Sequence, residues 1–472
     1  MFPRNDSVSG MLPFSKFEAK TILKLSGPIV VAQLTQTMMY VIDTLMAGSV
    51  SVTDMAAVAV GSAMWLPIIL TFQGLLIALT PLIAQQIGAK QPQQVMPLLY
   101  QGGLLALLLS TLIFVGMQFI QVPLSYMDMD PLLKQKAGEY LFYISFSAFP
   151  AAAYMLLRNL FEGLGDTKAA MWIGFIGILV NIPANYVFIH GLFGLPKLGG
   201  PGCGLATTLV FVAMALAMAL YATFGKVAAP VRRTLVSFAV NGGQIWQILA
   251  LGTPIAFAFF FEVTLFTCIP LMIAHLGPTV VAAHQIAINF CSMVFMLPLS
   301  VGLATTIRVG HLVGAKDTQE MKKAIGSAIW LGLGLAVFIA SLTFVCRDLV
   351  ASLYTKDADV LALAASILVL ACFYQFSDAV QVICSCTLRG LKYTKPIFYI
   401  TLVAYWPIGF GLGCVLGLTD WLGPKMGVQG FWIGIIVGLT VAAVLLGALV
   451  RHKLTQIAQG RWYPSDAESF GH

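Results

Sequence analysis

The stretch LGTPIAFAFFFEVTLFTCIPLMI, residues 251–273, decides how the rest of the chain is read. It carries one formal charge, Glu262, among apolar side chains. It is long enough to cross a bilayer as a helix, for which about 20 residues suffice, and a helix satisfies its own backbone groups in hydrocarbon. Similar runs recur along all 472 residues, of which 59% are hydrophobic and only 10% charged, with a mean hydropathy of +0.90. A soluble domain has about 25% charged residues, so this chain lacks the polar side chains to cover a globule of its size. The strands of an outer-membrane barrel would alternate polar and apolar residues, and these runs do not. The expectation is an all-α membrane protein embedded in phospholipid.

Twelve spans are expected, near 25–47, 55–86, 96–119, 136–158, 169–190, 202–224, 245–274, 280–306, 325–346, 359–388, 396–417 and 429–450. The opening MFPRNDSVSGMLPFSKFEAK has no short apolar core before a cleavage site, so the first run is expected to be retained as a span. With both termini in the cytoplasm, 20 of the 26 Lys and Arg fall on inner segments and 6 on outer loops, the asymmetry that cytoplasmic loops carry. The net charge of +7 is thereby explained by anionic lipid, without nucleic acid. The eight cysteines lie in or beside apolar runs, which argues against a disulfide framework and reads as buried packing.

The quoted stretch has a counterpart earlier in the chain. Residues 25–90 align with 251–316 at a constant offset of 226: LSGPI (25–29) meets LGTPI (251–255), and GAK (88–90) meets GAK (314–316). Further on, GLGDTK (163–168) meets GLKYTK (390–395) at offset 227. The expected organisation is a segment 1–24, a first lobe 25–224, an inter-lobe loop 225–244, a second lobe 245–450 and a tail 451–472. An even number of spans per lobe relates the lobes by an axis along the membrane normal, with a site between them near the midplane.

Of the 19 acidic residues, three fall inside spans: Asp43, Glu262 and Asp378. No Lys or Arg is expected clearly inside a span. A carboxylate at the bilayer centre costs about 3 kcal/mol even on lenient insertion scales. It must be protonated, bound to a cation or open to water, and each of these can change with ligand. Polar side chains at helical spacing accompany the acids. They are Gln33, Gln36, Tyr40 and Asp43; Tyr374, Asp378, Gln381 and Ser385; Gln285, Asn289 and Ser292; and Asn181 with Asn185, one turn apart about Pro183. Such stripes are expected to face an interior rather than lipid, although Asn and Gln also serve to bind helix to helix. His284 reads as a satisfied interior histidine.

These residues carry a family resemblance. VIDTLMAG (41–48), DMAAVAVG (54–61), FFEVTLF (260–266), VVAAHQIAINF (280–290), RVGHLVGAK (308–316), YQFSDAVQV (374–382) and TLRGLKYTKPIFYITLVAYW (387–406) resemble the multidrug and toxic compound extrusion (MATE) family, in its bacterial NorM-type form. The resemblance covers about residues 20–455. It implies twelve helices in two six-helix bundles forming a V-shaped carrier of the bacterial inner membrane. It also implies a secondary antiporter, not an enzyme and without a cofactor, that works as a monomer and exports cationic lipophilic drugs in exchange for Na⁺ or H⁺. Carried over residue by residue, a cation site falls on Glu262, Tyr374 and Asp378 with Gln285 nearby. A first-lobe acidic site falls on Asp43 with Asn181, Asn185 and Thr207. Some relatives have an aspartate where this chain has Asn185, and an amide takes up no proton.

Two carboxylates and a tyrosine offer oxygens that suit Na⁺, and carboxylates suit protons equally; the sequence leans to Na⁺ and leaves both open. A lipid-linked precursor flippase of the same superfamily would favour basic residues in its cavity. An ion channel would show a filter-like loop or a ring of equivalent charges, whereas the repeat mate of Glu262 is Gln36. No HExxH, P-loop or Ser–His motif points to an intramembrane enzyme.

Overall fold

The structure, a computed structural model, describes residues 13–126, 129–232 and 239–463. Arg4, Asp6, Asp128, Arg233, Asp466 and Glu468, which entered the charge balance above, lie outside the described residues, as do parts of the expected first segment, inter-lobe loop and tail.

Among the described residues eleven helices are long and apolar enough to span a membrane, and one bent pair makes twelve. They are α1 (Lys16–Gly48), α2 (Val52–Gly88), α3 (Pro92–Ser125), the bent α4 (Pro131–Ser145 with Ala148–Gly163), α5 (Lys168–His190), α6 (Gly202–Phe224), α7 (Gly242–Leu276), α8 (Pro278–Gly314), α9 (Thr318–Tyr354), α10 (Ala358–Gly390), α11 (Lys395–Leu418) and α12 (Val428–Ala458). Helix α4 bends by 47° at Phe146 and Ser147. Pro150 sits in the first turn after the bend; it has no N–H for the Phe146 carbonyl, and its ring would clash there. The single straight span expected at 136–158 is therefore a longer, broken one. In α11 the turn widens over Ala404–Phe410 around Pro407, for the same lack of a donor.

Helices α1–α6 enclose one apolar core, with Trp65, Tyr140, Tyr154 and Phe161 inside it. Helices α7–α12 enclose a second, built on Tyr374, Tyr405, Phe431 and Trp432. Large side chains such as Leu107, Leu112, Phe338 and Val345 remain exposed on the outer faces, as a lipid-facing surface requires.

The lobes meet at one end only, so that the molecule is a V. Across the narrow end α1 and α2 pack on α7 and α8. Two crossings are so close that only glycine fits. A Cβ on Gly88 would collide with the His311 carbonyl, and a Cβ on Gly314 with the Gln85 carbonyl. These are the same contact twice, since 314 is the repeat mate of 88 and 311 that of 85. The side chains obey the same symmetry. Gln85 Nε2 donates to the Gly390 carbonyl at 3.0 Å, and His311 Nε2 lies 2.8 Å from the carbonyl of Gly163, the mate of Gly390. A bidentate ion pair, Arg308 to the fully buried Glu18 at 2.5 and 2.7 Å, and the reciprocal Ser15–Ser327 bonds complete the closure. Further up, Thr37 Oγ1 reaches Met296 Sδ at 3.9 Å, and the lobes then diverge into a cleft.

Candidate functional site

The cleft wall contains one of the expected polar stripes. Gln285, Asn289 and Ser292 fall on one face of α8, and two turns after Asn289 that face carries Met296, which touches Thr37 of the opposite lobe. Gln285 and Asn289 are exposed and bonded to each other at 3.0 Å. The resemblance placed Gln285 with the second-lobe carboxylates. Gln285 Nε2 donates along its own helix to Asn289 Oδ1, on the face it shares with Met296, the face that addresses α1.

The first-lobe carboxylate lies deeper. Asp43 belongs to the face of α1 that carries Ala32, Thr35 and Met39 into the bundle, and it is 3% exposed. Its Oδ1 accepts from Asn181 Nδ2 at 2.9 Å and Asn185 Nδ2 at 2.6 Å, and its Oδ2 accepts from Thr207 Oγ1 at 3.0 Å. Spacing by one helical turn on α5 aims both amides at one oxygen. A solvated Asp43 at a membrane surface is thus excluded. Within the same cluster the carbonyl oxygens Asn181 Oδ1 and Asn185 Oδ1 are buried with no donor. The site therefore holds two carboxylate oxygens and two spare amide oxygens, the oxygen-rich chemistry that hard cations prefer. Tyr40, one turn before Asp43, is within electrostatic reach of it and half-buried.

In the second lobe Tyr374, Asp378, Gln381 and Ser385 form one buried face of α10, as their spacing requires. Asp378 is 4% exposed and shares a small cavity with Tyr374, Cys291, Phe295 and Gln375. Tyr374 is held edge-on between Phe266 and Trp432, with ring centroids 6.5 and 6.0 Å away. Trp432 Nε1 donates to His284 Nδ1 at 3.2 Å, which fixes His284 as the neutral acceptor tautomer at that nitrogen. Glu262 comes from α7 and is half-buried. Glu262, Asp378 and Tyr374 lie within electrostatic reach of one another.

Two basic residues near the narrow-end termini of their helices are buried in protein rather than exposed on inner loops. Arg158 and Arg389 lie inside α4 and α10 and are each 5% exposed. Arg158 Nε bonds Glu162 at 2.6 Å and its Nη2 donates to Gln33 at 3.2 Å. Gln33 thus serves a buried ion pair, which splits it from the expected stripe; Gln36 is half-buried one turn on. Arg389 stacks over Phe259 at 4.9 Å. Helix α4 runs five residues and α10 two residues past their expected ends, because the narrow end buries their last turns and satisfies them across the lobes. The repeat contained the missed signal: Glu162 and Arg389 are mates, so a charge stands at that position in both halves. With both arginines buried, neither offers the exposed basic cavity that a flippase of anionic lipid precursors would favour.

The family model MatE matches residues 28–187 and 254–415, one match in each half. The multidrug resistance protein NorM of Vibrio vulnificus is 47% identical over 433 residues, covering 92% of this chain and 95% of its own. The multidrug resistance protein MdtK of Yersinia pseudotuberculosis is 47% identical over 436 residues with the same coverage. Among solved structures, the eukaryotic MATE transporter AtDTX14 superposes with a TM-score of 0.83 at 23% identity, covering 94% of this chain and 98% of its own. A MOP superfamily transporter from Pyrococcus furiosus gives 0.83 at 21%, covering 93% and 97%.

Proposed function

The chain belongs to the MatE family of non-enzymatic transporters, and from that premise we propose that it is a secondary multidrug antiporter that exports cationic lipophilic drugs in exchange for an inward-moving Na⁺ or H⁺. It resides in the bacterial inner membrane as a monomer, with both termini and the narrow end of the V facing the cytoplasm, where the positive-inside asymmetry puts them. The state described here is then open to the outside.

One observation carries this reading. Asp43 and Asp378 are each buried inside a lobe that flanks the cleft, and among the described residues neither is in an ion pair. An ionised carboxylate so placed is costly unless a cation or proton answers it. Ion entry from the outside at Glu262, Tyr374 and Asp378 cancels the negative charge and favours release of a cationic drug. Ion loss to the cytoplasm restores that charge and favours drug capture. The exchange is coupled because the two cations prefer different states of one site. Asp43, with Asn181, Asn185 and Thr207, is a second cation site in the first lobe; Gln36, Tyr40, Gln285, Asn289 and Gln381 line the route. The donor set of two carboxylates and a phenol favours Na⁺ slightly over H⁺.

Energetics restrict the stoichiometry. A charge crossing 100 mV is worth about 2.3 kcal/mol, and a hundredfold drug gradient costs about 2.7 kcal/mol. Exchanging one ion for one monocationic drug moves no net charge, so it must draw on the ion's own concentration gradient or use two ions. Ethidium efflux from proteoliposomes under separately imposed sodium and pH gradients tests the reading. Glu262→Gln and Asp378→Asn should reach the membrane and lose gradient-driven efflux. Undiminished efflux by both would remove the second-lobe site.

A further inference from the structure

Arg389 is a buried cation whose bonding is incomplete. Its guanidinium is always charged in proteins, yet Nε and Nη1 have no hydrogen-bond partner and the group rests on the face of Phe259. Phe259 lies one helical turn before Glu262 on α7, and Glu262 is within electrostatic reach of the guanidinium.

The repeat shows what this arrangement lacks. In the first lobe Arg158 faces Gln33, the mate of Phe259, and is neutralised by Glu162, the mate of Arg389. That pair sits four residues apart on one helix and is complete. In the second lobe the position four residues before Arg389 is Ser385, whose hydroxyl also has no partner. No acid on α10 answers Arg389 at that spacing. The first lobe keeps an internally cancelled pair with the neutral Gln36 one turn further on, and the second keeps an unanswered cation with Glu262 there instead.

We propose that Arg389 is a tethered internal cation that competes with the coupling ion for Glu262, resting on Phe259 while the cleft is open to the outside and moving to the Glu262 carboxylate as the lobes tip, so that the ion is expelled. Arg389 is thus a positioning residue for ion release; the inference rests on Glu262 being a coupling site. No bond is made or broken. A long side chain on the last turn of α10 changes partner from an aromatic face to a carboxylate displaced by a single turn of α7. The move satisfies the vacant Nε and Nη1 donors in the state where the ion leaves.

The test uses the purified full chain in proteoliposomes, with ethidium efflux measured at graded external sodium and at graded external pH. Arg389→Gln removes the competitor. It should bind the coupling ion at least tenfold more tightly, seen as a lower half-saturating sodium or a midpoint at higher pH. Its maximal rate should fall at least tenfold, because release has lost its driving group. Arg389→Lys keeps the cation and should restore most of the rate. Phe259→Ala removes the resting platform and should shift half-saturation the opposite way, towards weaker ion binding. A simple packing role would move stability and rate without these opposed shifts. Half-saturation unchanged within twofold in both Arg389→Gln and Phe259→Ala overturns the inference, as does weaker ion binding in Arg389→Gln. If Glu262→Gln itself leaves efflux intact, the failure is of the coupling-site reading instead. If Arg389→Gln does not fold, the sign of the Phe259→Ala shift decides alone.

Discussion

Replacing Arg308 with alanine should open the narrow end. Glu18 has no exposed surface, and both of its carboxylate oxygens are held by Arg308, whose own side chain is 21% exposed. Truncating one partner of a buried pair costs about 3–5 kcal/mol, because the other charge is left unanswered. Arg308 is partly wet, so the lower figure of about 3 kcal/mol applies, and that is roughly a 150-fold bias. The pair joins α1 of one lobe to α8 of the other, so the loss falls on the state with the narrow end closed and not on either lobe's fold. Gln93 and Gln319 are exposed repeat mates at this end, one on each lobe. Spin labels there, in a cysteine-free background, report the separation of the lobes by pulsed dipolar spectroscopy. The expected result is a new long-distance population in Arg308→Ala, exceeding the short one if the closed state leads by less than about 3 kcal/mol. The double replacement Glu18→Gln with Arg308→Gln removes both charges and should return the distribution most of the way, since uncharged partners leave no orphaned ion. Identical distance distributions in the parent and Arg308→Ala would refute the reasoning, as would a double variant no closer to the parent than the single one.

Three further outcomes follow from the same geometry. Gly88→Ala and Gly314→Ala should each widen the narrow end in the same label pair and by similar amounts, because each Cβ meets a backbone carbonyl of the other lobe; a shift in only one would contradict the twofold relation. Thr207→Val should keep the first-lobe packing but remove one donor to Asp43, costing about 1.5–3 kcal/mol in the state with Asp43 ionised; the check is a lowered thermal midpoint at neutral pH that recovers when Asp43→Asn is added. His311→Gln should retain the bond to the Gly163 carbonyl that its mate Gln85 makes to Gly390, whereas His311→Ala should lose it; efflux near parental in the first and reduced several-fold in the second is the expected pattern.

Membrane class, helical spans and the twofold repeat were legible in the residues alone, because these follow from short-range quantities: apolar run length, helical period and the offset of 226 between like residues. The sequence also singled out Asp43 with Asn181, Asn185 and Thr207, since a family pattern and a one-turn spacing already aim those groups together. The bend of α4 was visible as Pro150 only once its partner carbonyl was known to lie at the break. Which face of each helix looks into the cleft and which into a lobe emerged only from packing between helices. That packing turned Gln33 to an ion pair and bonded Gln285 to Asn289 of its own helix, and it buried Arg158 and Arg389. The physical reason is that a charge count along a chain gives each residue a side of the membrane but no partner. Whether a guanidinium meets water, an acid or an aromatic ring depends on which helix end is packed against it, and here that packing comes from the opposite half of the repeat or from a neighbouring helix far away in the chain.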